Sequence, residues 1–139
     1  MVNIENTLSA TCVTVPSNTG AQGAPMVVLP CDGRVSQSFQ FWPVANVANT
    51  SYVSTSNGLC LVPNPAAQML VTQFPCPAQA DNRFFWRTIQ VSPSVTLFEN
   101  SAFGGCLAAV SDFSLPGIIG PGTVAVVPEE CNPIDFREH

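Results

Sequence analysis

The chain has 139 residues, a formal net charge of −5 and only 9% charged residues, against roughly 25% in an average soluble domain. It contains no lysine, and its basic residues are four arginines. This composition disfavours nucleic-acid binding, which needs several cations to displace counterions from phosphate, while the 46% of hydrophobic residues disfavours disorder. The length suits a single domain, 1–139, and no apolar run approaches the roughly 18 residues of a membrane helix.

Short β-strands are predicted along the whole chain. Thirteen prolines and nine glycines interrupt it, and no stretch shows the apolar period of a long helix. Segments rich in β-branched and aromatic residues favour strands, and these are 26–29, 38–42, 51–55, 69–72, 84–89, 94–98 and 123–127. Turn residues separate them, as at 16–20 and 115–122. We therefore expect an all-β domain.

Six cysteines divide the chain into three similar units. They lie at positions 12, 31, 60, 76, 106 and 131. Apolar residues follow the first cysteine of each pair, and a β-rich segment with a proline precedes the second. In the first two units a short motif then follows at the same distance, 37–39 (Gln-Ser-Phe) and 82–84 (Asn-Arg-Phe). This pattern predicts a threefold internal repeat, with units of about 1–44, 45–90 and 91–139 and about four strands in each.

The repeat predicts one disulfide within each unit: Cys12–Cys31, Cys60–Cys76 and Cys106–Cys131. Structural zinc sites bring cysteines in closely spaced pairs, and here no two cysteines are so close, while the single histidine is the terminal His139. Buried free thiols are the remaining alternative. Three disulfides imply an oxidising compartment, so we expect a secreted or extracellular protein, although residues 1–15 do not read as a signal peptide.

The order of these features resembles the ricin B-chain type β-trefoil lectins. In that family the repeat reads approximately C-x-D, then an aromatic residue before P-C, then N-Q-x-W. The resemblance runs from Cys12 to Phe136 and implies a β-trefoil whose function is non-catalytic carbohydrate binding, with a glycan or glycoprotein as partner and no cofactor. Phe39 and Phe84 stand at the tryptophan position of the first two units, and Asn82 at the second glutamine position. The third unit has only Asp135-Phe136 as a poor substitute.

The resemblance also indicates where a sugar would bind. The family's aspartate is absent, because its three positions hold Thr14, Val62 and Ala108. The three platform positions hold Leu29, Phe74 and Glu129. The second unit alone keeps a candidate carbohydrate-binding pocket, which consists of Phe74, Asp81 and Asn82, together with Gln73 and Asn64. The alternative is that Phe74 packs in the core and that the Asn82 amide holds a turn.

The sequence offers little for catalysis. The one histidine is terminal and lysine is absent, so nucleophile–histidine and lysine chemistry are disfavoured. The adjacent carboxylates Glu129 and Glu130 adjoin Cys131, which is typical of a solvated turn. No phosphate-binding loop is present. We expect neither an enzyme nor a bound cofactor or metal.

An apolar loop in the third unit favours a different function. The segment 112–122 contains Leu115, Ile118 and Ile119 among prolines and glycines. These side chains either cover the open end of the barrel or form an interface with another protein. An interface would make this chain a homodimer or an accessory subunit of a toxin-like or enzyme-associated assembly. A protease-inhibitor-type trefoil is a third alternative, but such inhibitors lack the repeated Pro-Cys and Gln-x-aromatic pattern.

Overall fold

The computed structural model describes residues 3–6, 11–67, 69–92, 95–109 and 124–127. Within these ranges the chain forms strands joined by short 3₁₀ turns. The strands are β1 (Glu5–Asn6), β2 (Thr11–Thr14), β3 (Val27–Pro30), β4 (Phe39–Pro43), β5 (Thr50–Thr55), β6 (Leu59–Asn64), β7 (Leu70–Pro75), β8 (Trp86–Ser92), β9 (Val95–Asn100), β10 (Cys106–Ala109) and β11 (Val124–Val127). The 3₁₀ turns are Pro16–Asn18, Val35–Gln37, Pro65–Ala67 and Asn82–Phe84. The all-β prediction is confirmed.

The strands form two antiparallel sheets. A three-stranded sheet has the order β1-β2-β3, and an eight-stranded sheet has the order β4-β5-β6-β7-β11-β10-β9-β8. A further pairing joins β5 to β8, with Ser51 opposite Trp86. This pairing closes strands β5 to β8 of the larger sheet into a ring, with β4 paired to β5 outside it.

The same hairpin occurs three times, with a cysteine in its first strand. Cys12 lies opposite Leu29, Cys60 opposite Phe74, and Cys106 opposite Val127. The three registers therefore agree with the predicted repeat. In the third unit the residue opposite the cysteine is Val127; the platform position predicted for this unit is Glu129. Glu129 lies outside the described residues.

Two of the predicted disulfides are present. The bonds are Cys12–Cys31, with its Cα atoms 5.1 Å apart, and Cys60–Cys76, with its Cα atoms 4.9 Å apart. The third prediction pairs Cys106 with Cys131, which lies outside the described residues, so that bond stays a prediction. Among the cysteines that the structure describes, none is free. Each bond ties the start of one strand to the residue just beyond its partner strand.

The core is built around two large aromatic side chains. Phe39 and Trp86 are both essentially inaccessible to solvent, and the Trp86 indole Nε1 donates a hydrogen bond to the Leu61 carbonyl at 3.1 Å. The smaller residues of the same cluster are Ile4, Val13, Val15, Met26, Val53, Leu61 and Val71. These side chains come from both sheets and hold them together.

The position of Trp86 corrects the motif predicted for the second unit. In the first unit Gln37 ends a 3₁₀ turn and Phe39 begins the next strand; in the second unit Phe84 and Trp86 occupy those two places. The motif is therefore Phe84-Phe85-Trp86, not Asn82-Arg83-Phe84. The loop after Cys76 is longer than the loop after Cys31, so counting from the cysteine selected the wrong aromatic residue. For the same reason the strand predicted over 84–89 begins at Trp86.

Replacing Trp86 with alanine is expected to lower the free energy of unfolding by about 3–5 kcal/mol, because it empties a fully buried site. Trp42→Ala is the matched control: Trp42 is 49% exposed, so its loss should cost about 1 kcal/mol or less. Urea denaturation of both variants measures the difference. Equal losses would contradict the assignment of Trp86 to the core.

Candidate functional site

In the first unit, the position of the family's aspartate belongs to a buried structural network. Thr14 is buried, and its hydroxyl donates to the Cys12 carbonyl at 2.9 Å. The Gln37 amide donates to Thr14 Oγ1 at 3.2 Å and to the Pro30 carbonyl at 2.9 Å, and its Oε1 accepts from the Asp32 amide at 3.1 Å. Gln37 therefore holds the disulfide loop against the strands, and these atoms are not available to a sugar.

In the second unit, the same two positions are apolar. Val62 replaces the threonine and Phe84 replaces the glutamine, and both are buried in a cluster with Cys60. Tyr52 and Phe74 pack against this cluster from outside. An apolar pair thus stands in the second unit where the first unit has a polar pair. These two positions therefore also lack an acceptor for sugar hydroxyls.

Three residues of the predicted pocket have internal roles. Phe74 is half-buried, and a Cβ atom at Gly23 would lie 3.4 Å from its ring. Gln73 is fully buried, and its amide donates to the carbonyls of Thr19 at 2.8 Å and Ala21 at 2.9 Å. Asn64 accepts a hydrogen bond from the backbone of the 3₁₀ turn that follows it. Phe74 and Gln73 therefore contact the preceding loop of the first unit.

The other two predicted residues lie together in a shallow surface depression of about 560 Å³. We call it the Asp81 depression; its lining residues are Pro77, Gln79, Ala80, Asp81, Asn82 and Phe85. Phe74, Gln73 and Asn64 are not among them. The structure therefore brings Asp81 and Asn82 together and separates them from the other three predicted residues.

An ion pair with Arg83 holds the Asp81 side chain of the depression. The Asp81 carboxylate accepts hydrogen bonds from the Arg83 backbone amide at 3.0 Å and from its guanidinium Nη2 at 2.6 Å. The side-chain hydrogen bond from Arg83 is the main cause that lowers the pKa of Asp81 below its ordinary value. Asp81 is therefore ionised at neutral and mildly acidic pH. Asn82 is exposed, and its side-chain amide makes no hydrogen bond to any described residue.

A second concave surface lies beside the first and was not predicted. We call it the Trp42 groove; it has a volume of about 470 Å³, and it is lined by Gln40, Trp42, Tyr52, Ser54, Pro77 and the Cys60–Cys76 disulfide, among others. Four of its residues share one face of the β4–β5 hairpin, because Gln40 pairs with Ser54 and Trp42 pairs with Tyr52. The alternation of β4 contained the signal: with Phe39 in the core, Gln40 and Trp42 must point outward.

The described arginines are all paired with carboxylates. Arg34 binds Asp32, Arg83 binds Asp81, and Arg87 binds Glu99. The described surface therefore has no unpaired arginine to offer to a polyanion. None of the helical turns in the described ranges has the length and apolar character of a bilayer-spanning segment. The predicted interface residues Leu115, Ile118 and Ile119 lie outside the described residues.

The sequence of the chain matches a known domain family. The model of the ricin-type β-trefoil lectin domain matches residues 1–114. This match spans most of the chain, and the chain therefore belongs to the ricin-type β-trefoil lectin domain family. None of the curated proteins searched matches its sequence.

Solved structures share the fold at low sequence identity. ThreeFoil, a designed three-fold symmetric protein, superposes with a TM-score of 0.77 at 12% identity, covering 94% of this chain and 91% of that chain. A mosquitocidal holotoxin superposes with a TM-score of 0.72 at 15% identity, and the superposition covers 94% of this chain but 16% of the toxin chain. The C-half of an earthworm R-type lectin, solved in complex with GalNAc, superposes with a TM-score of 0.62 at 10% identity. The superposition covers 94% of this chain and 90% of the lectin chain. The predicted β-trefoil is confirmed.

Gln73→Ala is expected to lower the free energy of unfolding by about 1–3 kcal/mol, because it removes two hydrogen bonds that hold the 19–21 loop. Asn64→Ala removes one local turn contact and should cost about 1 kcal/mol or less. Thermal or urea unfolding of the two variants compares them. An unchanged stability of Gln73→Ala would contradict the structural role assigned to this residue.

Proposed function

We propose that this chain is a non-catalytic carbohydrate-recognition domain and that the Asp81 depression binds a sugar. The observation that carries the proposal is the combination of an ionised carboxylate, an unpartnered amide and an aromatic ring in one depression. A sugar ring needs such a set, because its hydroxyls require planar hydrogen-bonding groups and its C–H face packs on an aromatic ring.

Each of the three groups has a defined role in this proposal. The Asp81 carboxylate accepts hydrogen bonds from neighbouring hydroxyls and stays ionised because Arg83 holds it. The Asn82 amide both donates and accepts, and it makes no hydrogen bond to any described residue. Phe85 is half-buried, so it offers part of its ring to a ligand while the edge contact with Tyr52 fixes its position.

The family supports this function, and the described chemistry supports recognition without catalysis. Ricin-type β-trefoil domains are lectin domains by family description, and the earthworm R-type lectin was solved with GalNAc bound. In this chain Asp32, Asp81 and Glu99 are each engaged by an arginine on the surface. The side-chain hydrogen bond from the arginine lowers the pKa of Asp32 and of Asp81, which disfavours the protonated acid that glycoside hydrolysis requires.

The two disulfides support an oxidising location. Disulfides persist in secreted and extracellular proteins and are rare where thiols are kept reduced. We therefore place the proposed glycan recognition outside the cytosol, with a glycan or glycoprotein as the partner.

Asp81→Asn tests the proposal against a matched control. The substitution keeps the shape of the side chain but removes the anionic acceptor, so sugar affinity should fall by about 1.5–3 kcal/mol, as for a hydrogen bond to a charged group. Asp32→Asn removes the equivalent partner of Arg34 in the first unit and should leave affinity unchanged. A glycan array identifies a ligand for the native chain, and isothermal titration calorimetry then compares the three proteins.

Two outcomes would contradict this function. Equal losses of affinity in Asp81→Asn and Asp32→Asn would show that the effect is not specific to the depression. Absence of binding to any glycan by folded, native protein would reject carbohydrate recognition altogether.

A further inference from the structure

The Trp42 groove and the Asp81 depression form one continuous surface. Pro77 lines both of them. Tyr52 of the groove contacts Phe85 of the depression edge to face, with the ring centroids 5.4 Å apart. Trp42 is the cross-strand neighbour of Tyr52. Trp42, Tyr52 and Phe85 therefore follow one another from the groove to the depression.

The groove holds its indole ring in a fixed and exposed position. Trp42 is 49% exposed, which is unusual for so large an apolar side chain. Its Nε1 donates to Ser54 Oγ at 2.9 Å, and Ser54 Oγ in turn lies 3.4 Å from the Gln40 carbonyl, to which it donates. The indole therefore has its polar atom satisfied by the protein and its ring face available to a ligand.

The chemistry of the groove fits a neutral polyhydroxylated ligand. The described residues that line it are all uncharged, so it offers no counter-ion to an acidic or basic ligand. The exposed Gln40 side-chain amide makes no hydrogen bond to any described residue. An aromatic face beside an unpaired amide matches the two sides of a sugar ring, one apolar and one rich in hydroxyls.

The size of the groove fits a small ligand. About 470 Å³ falls within the roughly 300–1,000 Å³ typical of small-molecule sites. The groove therefore resembles a ligand subsite in scale.

We infer that the ligand is a neutral oligosaccharide that spans both surfaces, with one sugar hydrogen-bonded at Asp81 and Asn82 and another stacked on Trp42. This inference rests on the proposed function for the Asp81 end. It adds that the number of sugars in the ligand determines affinity, and that Trp42 makes the protein specific for the longer ligands. The groove involves neither Thr14 nor Val62, so it is separate from the positions of the family's aspartate.

The test compares neutral oligosaccharides of one to four sugars, built from the sugar that the array selects, against native protein, Trp42→Ala and Trp42→Phe. Native affinity should rise with chain length. Trp42→Ala should weaken the longer ligands by about fivefold or more and leave the single sugar unchanged, since the lost contact is an aromatic one. Trp42→Phe keeps an aromatic ring and should retain most of the increase in affinity that the longer ligands show. Val35→Ala removes another exposed apolar side chain and serves as the control.

Tryptophan fluorescence gives an independent readout. The chain has two tryptophans, and Trp86 is only 1% exposed. Quenching by acrylamide therefore reports mainly on Trp42. The longer oligosaccharides should protect it from the quencher, whereas the single sugar should not.

Each other outcome overturns the inference in a distinct way. If Asp81→Asn removes binding but Trp42→Ala changes nothing at any length, the spanning ligand is rejected and the proposed function stands. If Trp42→Ala removes binding and Asp81→Asn does not, the groove binds the ligand alone. Sugar binding at the Asp81 depression and the spanning ligand are then both rejected. If an unrelated peptide or apolar compound protects Trp42 as well as the oligosaccharide does, specificity for sugars is rejected.

Discussion

A polar side chain buried beside a disulfide must find all its hydrogen-bond partners inside the protein, because an unpaired buried polar group costs about 1–3 kcal/mol. The first unit meets this requirement by surrounding Gln37 with Thr14, a carbonyl and an amide. The second unit removes the requirement by placing Phe84 and Val62 there. Both solutions close the position where the family carries its aspartate. Groups that bind sugar hydroxyls in these units must therefore lie outside that position.

The outer face of the second unit supplies such groups as a consequence of the fold. Because Phe39 enters the core, the alternation of β4 places Gln40 and Trp42 on the outside. The longer loop after Cys76 brings Asp81 to the start of a 3₁₀ turn, where its carboxylate accepts from the Arg83 amide. The core aromatic residue and the loop length thus determine which side chains meet at the surface.

The sequence predicted most of the strands and three disulfides, of which Cys12–Cys31 and Cys60–Cys76 are present. Both predictions follow from local patterns and a repeat, but the site as a unit was not predicted. Phe84 and Trp86 are both aromatic, so residue type does not distinguish them, and the motif of the second unit is predicted from its distance to Cys76. The longer loop after Cys76 makes that distance misleading. Gln73 was grouped with Asp81 by proximity in sequence, although its partners are the distant carbonyls of Thr19 and Ala21. The exposure of Trp42 can be predicted only when it is known which face of β4 meets the core.

Chemical-shift mapping by NMR during titration with the selected oligosaccharide locates the bound ligand, because side-chain amide and indole N–H signals report on single residues. We expect large shifts for the Asn82 and Gln40 side-chain amides and the Trp42 indole, with the Gln37 amide and the Trp86 indole unchanged. Shifts concentrated at the Gln37 amide, with the Asn82, Gln40 and Trp42 signals unchanged, would instead place the ligand at the position of the family's aspartate in the first unit and would contradict binding at the depression and the groove.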